Sequence, residues 1–154
     1  MKILIIFYFF VFLIIYHYNI NFVNACKCAQ QSIQINYCRS DWAAHILSLK
    51  KENINETEGF SREVRYTVKI LNIYKASCDK ICHPKRKKDF VYTASQSAAC
   101  GAYLEIGKEY LIGGYYEDDV KKRISSCGLV EYWDTLPVDI EDLNNGNFDK
   151  NCTQ

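Results

Sequence analysis

The sequence predicts a mainly β fold, a small closed five-stranded barrel of which the OB type is one form, with short flanking helices and disulfide staples. Three observations carry that expectation. Between positions 63 and 73, Val64, Tyr66, Val68 and Ile70 alternate with Arg65, Thr67 and Lys69, and a period of two marks a half-buried strand. Four shorter runs, 42–49, 90–93, 109–116 and 121–127, are further strand candidates between polar loops. Eight cysteines lie in a chain of 154 residues, a density typical of a disulfide framework.

The first element is an address. Lys2 precedes an unbroken apolar run over 3–16, which as a helix spans about 21 Å, short of a bilayer core of about 30 Å. His17, Asn19 and Asn21 then intervene before Val23-Asn24-Ala25, which sets small residues at the −3 and −1 positions of a cleavage site. Residues 1–25 are therefore expected to be a cleaved secretory signal rather than an anchor, making Cys26 the first residue of a single domain, 26–154. No later segment is long and apolar enough to span a membrane.

Lys2 is the only charge in that leader, so the remaining 129 residues carry 18 positive and 18 negative side chains. A neutral domain has no global field to draw it onto nucleic acid or an anionic membrane. Its length supports one core that buries roughly two-thirds of the unfolded surface. Polar loops are expected at 50–59 and 78–89, and a tight turn at Glu117-Asp118-Asp119. Asp134-Thr135-Leu136-Pro137 followed by 138–143 reads as a short helix that Asn144-Asn145-Gly146 terminates.

Export sets an oxidising compartment, so the eight cysteines are expected to form four disulfides. Spacing alone leaves on the order of a hundred pairings open. Cys26, Cys28 and Cys38 crowd one end, Cys100, Cys127 and Cys152 lie far downstream, and Cys78 and Cys82 are close together. The simplest arrangement joins the early three to the late three, each bridge closing a loop worth about 4–5 kcal/mol of chain entropy. It would hold the N-terminus rigidly against the barrel. Two sequons, Asn55-Glu56-Thr57 and Asn151-Cys152-Thr153, agree with export. A disulfide at Cys152 would work against glycosylation of Asn151.

Other motifs have plain readings. Cys26-Lys27-Cys28 as a redox or metal motif is disfavoured in an exported chain with six further cysteines. His45 and His83 have no ligand set and read as a strand and a loop residue. No nucleophile–base pair or paired carboxylates stand out, so no enzyme and no cofactor of its own are expected. The run Lys85-Arg86-Lys87-Lys88 is a solvated loop in the plain reading and a sulfated-glycosaminoglycan site in the sharper one.

Several blocks together resemble the tissue inhibitors of metalloproteinases. These are Cys26-Lys27-Cys28, Cys38-Arg39-Ser40-Asp41, Tyr74-Lys75, Phe90-Val91-Tyr92-Thr93 leading to Cys100-Gly101, and Glu109-Tyr110-Leu111-Ile112. Ser125-Ser126-Cys127, Trp133, Leu136 and Cys152 complete the order over 26–152. The resemblance implies an OB-like barrel of the netrin type with disulfides Cys26–Cys100, Cys28–Cys127 and Cys38–Cys152, leaving Cys78–Cys82 as a local pair. It also implies a single, N-terminal inhibitory domain, because the chain stops two residues after Cys152.

The function it implies is inhibition of a zinc protease of matrixin, adamalysin or astacin type. A catalytic zinc keeps one position open, and the free α-amine and carbonyl of Cys26 would chelate it there. Lys27, Cys28 and Ala29 would lie along the primed subsites, with Ala98 and Ala99 beside Cys100 on the unprimed side. Two positions depart from the family pattern: Lys27 replaces a small hydroxyl residue, and Trp42-Ala43-Ala44-His45-Ile46 replaces an apolar-Ile-Arg-Ala run. The alternative function is a non-inhibitory netrin-like module that binds a receptor or extracellular-matrix partner. A monomer is the default expectation.

Overall fold

The computed structural model describes residues 26–57, 60–76 and 87–152. Within them the chain is mainly β and rolls one sheet partly into a ring, as an OB-like barrel does. The strands are β1 (Trp42–Thr57), β2 (Phe60–Ala76), β3 (Lys88–Ala94), β4 (Glu109–Glu117), β5 (Lys121–Arg123) and β6 (Val130–Tyr132). They run in the order β1-β2-β3-β5-β4, and β4 returns to pair with β1. The short β6 lies along the other edge of β4, where Tyr110 faces Tyr132. Among the described residues, three α-helices flank the sheet: α1 (Ile33–Arg39), α2 (Ile140–Asn144) and α3 (Asn147–Lys150).

Alternation explains the inside of the ring. Trp42, Ala44 and Ile46 on β1, Val64, Tyr66 and Val68 on β2, and Tyr110 and Ile112 on β4 share one buried cluster. On β1 and β4 the opposite face is buried as well: Ala43 and Leu111 pack with Tyr37 of α1, Leu143 of α2 and Phe148 of α3. This second core is why the 109–112 stretch shows no polar alternation. Gly114 sits where β4 meets β5; a Cβ there would come within 1.8 Å of the Arg123 carbonyl oxygen, so only glycine allows the approach.

Five expectations are corrected. The polar stretch 50–59 is no loop through most of its length: β1 and β2 continue as a hairpin out to Thr57 and Phe60. Cross-strand partners hold it in place of a core, with Glu52 opposite Arg65 at 3.1 Å and Lys50 on the same carboxylate at 2.9 Å. The strand foreseen over 121–127 ends at Arg123, because Ser125–Gly128 folds into a turn that brings Cys127 to Cys28. The helix foreseen over 138–143 begins instead at Ile140, capped by the Asp139 carboxylate; Gly146, at φ 70°, then separates it from α3. A sixth strand, β6, and helix α1 join the predicted set; α1 is capped by Ser32 accepting from the Ile35 amide. Of the loop expected at 78–89, residues 78–86 lie outside the described residues, while Lys88 and Asp89 belong to β3. Cys78, Cys82, His83, Lys85 and Arg86 are among the residues outside; Lys87 and Lys88 are exposed.

Ion pairs close the wall of the ring at β5. Glu63, 4% exposed, receives Lys121 at 2.6 Å and Arg123. Glu117 pairs with the same two cations at 3.2 and 2.8 Å. Hydrogen bonds from Arg123 and then Lys121 hold the Glu117 carboxyl below its ordinary range, and Lys50 and Arg65 do the same for Glu52. A depressed folded-state pKa gives stability that is present above the unfolded value, about 4.3, and is lost as pH falls through the folded value. Thermal midpoints between pH 2.5 and 6 should therefore fall on the acid side, and less steeply in a Glu117→Gln variant.

Candidate functional site

Two disulfides fasten the segment that follows Ala25 to the barrel. Cys26 bonds Cys100 and Cys28 bonds Cys127, across 74 and 99 residues of sequence. A third bridge, Cys38–Cys152, spans 114 residues and ties α1 to the end of α3. Each joins an early to a late cysteine, with Cα separations of 5.1–5.3 Å. Only one residue separates Cys26 from Cys28, so this stretch of backbone is pinned at both ends. Its side chains nevertheless face solvent: Lys27, Cys28 and Ala29 are exposed and Cys26 is half-buried.

The receiving loops are built for this. After β3 the chain makes a single 3-10 turn, Ser97–Ala99, and Cys100 leaves it in the left-handed region at φ 56°. Ala98 and Ala99 are exposed beside that bridge. The Gly101 amide donates to the Gln96 carbonyl at 3.0 Å, and the Ala102 amide to the buried Thr93 hydroxyl at 2.8 Å. The second loop docks on the first through the Ser126 amide and the Cys100 carbonyl, 2.9 Å apart. Further along, the Arg39 guanidinium donates to Gln31 at 2.7 Å. The result is one ridge made of 26–31, 97–100 and 125–128.

Gly101, next to the bridged Cys100, has a steric role. A Cβ there would lie 2.2 Å from the Ala94 carbonyl oxygen and 2.9 Å from that of Gln96, both backbone atoms. Gly101→Ala should cost about 2–3 kcal/mol, at the upper end of overpacking penalties because backbone has little room to yield. A denaturant titration of the bridged protein checks this.

The four sulfurs of Cys26, Cys28, Cys100 and Cys127 lie within 4.8 Å of one another, the spacing of a metal cluster. All four are consumed in bridges, and no cysteine among the described residues is free. A disulfide sulfur is not the thiolate that a zinc or redox site needs, so the crowding reflects two bridges packed side by side. His45 is a β1 residue, as read: its Nε2 meets the Glu109 carboxylate at 2.8 Å and its ring stacks on Trp133 at 3.5 Å. Asn151 is exposed just after α3, next to the bridged Cys152. Asn55 lies near the end of β1.

Fold and site together define a class: a disulfide-stapled OB-like barrel that carries residues 26–31 as an exposed ridge pinned by two bridges. A family model described as tissue inhibitor of metalloproteinase matches residues 24–153, and the chain belongs to that family. It is 29% identical over 135 residues to metalloproteinase inhibitor 2 of Rattus norvegicus, covering 84% of this chain and 58% of the relative. The corresponding figures are 31% over 135 residues for Canis lupus familiaris, with 84% and 58% covered. For Gallus gallus they are 31% over 128 residues, with 79% and 55% covered. The chain thus spans a little over half the length of these relatives, whose names describe inhibitors rather than enzymes. Among the described residues no helix is long and apolar enough to cross a membrane.

Proposed function

We propose that this chain is a secreted inhibitor of zinc metalloproteases and acts through a free amine on Cys26. The observation that carries the proposal is the ridge itself: a segment exposed along 27–29 yet fixed by bridges at Cys26 and Cys28. Removal of residues 1–25 on export would leave the Cys26 amine nitrogen and carbonyl oxygen adjacent at the tip, able to close a five-membered chelate ring with a metal ion. Both would enter the open position of a catalytic zinc held by the target enzyme. Because the bridges already hold the backbone, little conformational entropy remains to be lost on binding. The amine binds metal only when unprotonated, which a reference pKa of about 7.7–8.0 allows near neutral pH.

Membership in an inhibitor family and the names of the relatives support this reading. Ala29, Ala98 and Ala99 add small exposed side chains on either side of the bridged tip, so a cleft can approach the backbone closely. The test is inhibition by protein refolded to begin at Cys26, with its disulfides mapped, against matrixin, adamalysin and astacin-type proteases. Inhibition of at least one class is expected. A correctly bridged protein that inhibits none of them would turn the assignment toward a receptor or matrix partner.

A further inference from the structure

Lys27 defines what kind of protease the ridge fits. In the first three residues, the Cys26 and Cys28 side chains are committed to bridges, so only Lys27 has a side chain free to enter a partner. It is exposed, and among the described residues no carboxylate pairs with it. Cations on the barrel wall behave differently: Lys121 has Glu63 at 2.6 Å, Lys122 has Asp89 at 2.6 Å, and Arg65 has Glu52 at 3.1 Å. The three stretches of the ridge, 26–31, 97–100 and 125–128, contain no other charged residue. An ammonium that binds with this ridge therefore brings no counter-charge of its own.

The backbone at Lys27 is held by a bridge on each side and cannot withdraw to leave its head in water. A lysine ammonium is strongly hydrated, and placing it unpaired in an apolar pocket is costly. Its four-carbon stem, in contrast, packs well against apolar walls. Resting on the zinc-chelating reading above, we propose that the target is a zinc endopeptidase whose pocket next to the metal has apolar walls and a carboxylate at its end. Such an enzyme cleaves on the amino side of lysine or arginine.

The test uses two zinc endopeptidases, one that cleaves before lysine and one that cleaves before leucine. Three proteins beginning at Cys26 are compared: the natural sequence, Lys27→Met and Lys27→Glu. Truncating one member of a desolvated charge pair should weaken inhibition of the lysine-directed enzyme by about 30-fold or more in Lys27→Met, and further in Lys27→Glu. The same Lys27→Met change should improve inhibition of the leucine-directed enzyme by about tenfold or more. Equal effects of Lys27→Met on both enzymes, or none, would overturn the pocket assignment while leaving the inhibitor reading intact. If neither the natural protein nor Lys27→Met inhibits either enzyme, both readings fall together. Because Lys27 is exposed, all three proteins should share one thermal midpoint, which verifies that the comparison reports binding.

Discussion

One alanine added ahead of Cys26 is expected to weaken protease inhibition by at least about 100-fold, since even changes behind the metal ligands cost 10–100-fold. The addition converts the Cys26 amine into an amide, whose nitrogen is neither basic nor free to ligate. It also moves the chain terminus about 3.8 Å away, one Cα–Cα step, so the new amine cannot occupy the place of the old one. The bridges to Cys100 and Cys127 remain, and no residue of the barrel is altered. Thermal midpoint and disulfide map should therefore stay unchanged while inhibition is lost. That separation is what distinguishes chelation from simple steric occupancy. The pH profile supplies a second readout: below the amine pKa, about 7.7–8.0 for an unperturbed terminus, inhibition should weaken about tenfold per pH unit as the proton competes with the metal. Extended protein that inhibits as well as protein beginning at Cys26 would refute chelation through the amine.

Glu63→Ala should be the most damaging substitution in the wall of the ring. Breaking a fully buried ion pair costs about 3–5 kcal/mol because it strands the other charge. Here Lys121 and Arg123 retain 30% and 21% exposure and keep Glu117 as a partner, so about 2–3 kcal/mol is expected after allowing for water at the two cations. For a domain of this size that corresponds to a fall in midpoint of roughly 10 °C. Glu52→Ala removes a carboxylate of the exposed hairpin, where solvent screens its pairs with Lys50 and Arg65, and should lower the midpoint far less than Glu63→Ala does. Equal midpoints for the two variants would show that Glu63 is dispensable to the wall.

How much of this was legible in the residues depended on the range of the interaction. Alternation over 63–73 placed β2, because a strand with one buried face records its two sides directly in sequence. Glu117-Asp118-Asp119 marked a turn for an equally local reason, and Asp118 and Asp119 do adopt positive φ. The hairpin beyond Lys50 looks like a loop in sequence because its residues are polar, and ladder bonds with a cross-strand ion pair leave no apolar pattern. β6 escaped because three residues are too few to show a period, and its pairing with β4 comes from a chain segment 20 residues away. The 121–127 stretch was overextended since nothing local says that Ser125 will close a turn there.

The same division holds for the site. Composition and order alone pointed to a disulfide-rich β domain with no net charge over 26–154, and the order of its blocks pointed to the family. Local chemistry is sufficient for that, because cysteine count, side-chain alternation and turn residues act over a few positions. Folding in three dimensions decided the rest. It set two bridges one residue apart, placed the Cys100 turn against the Ser126 loop, buried Glu63 between two cations and, among the described residues, left Lys27 without a carboxylate partner. Those features come from residues separated by 26 to 99 positions, and their energies exist only once the barrel has closed and brought the partners within contact distance.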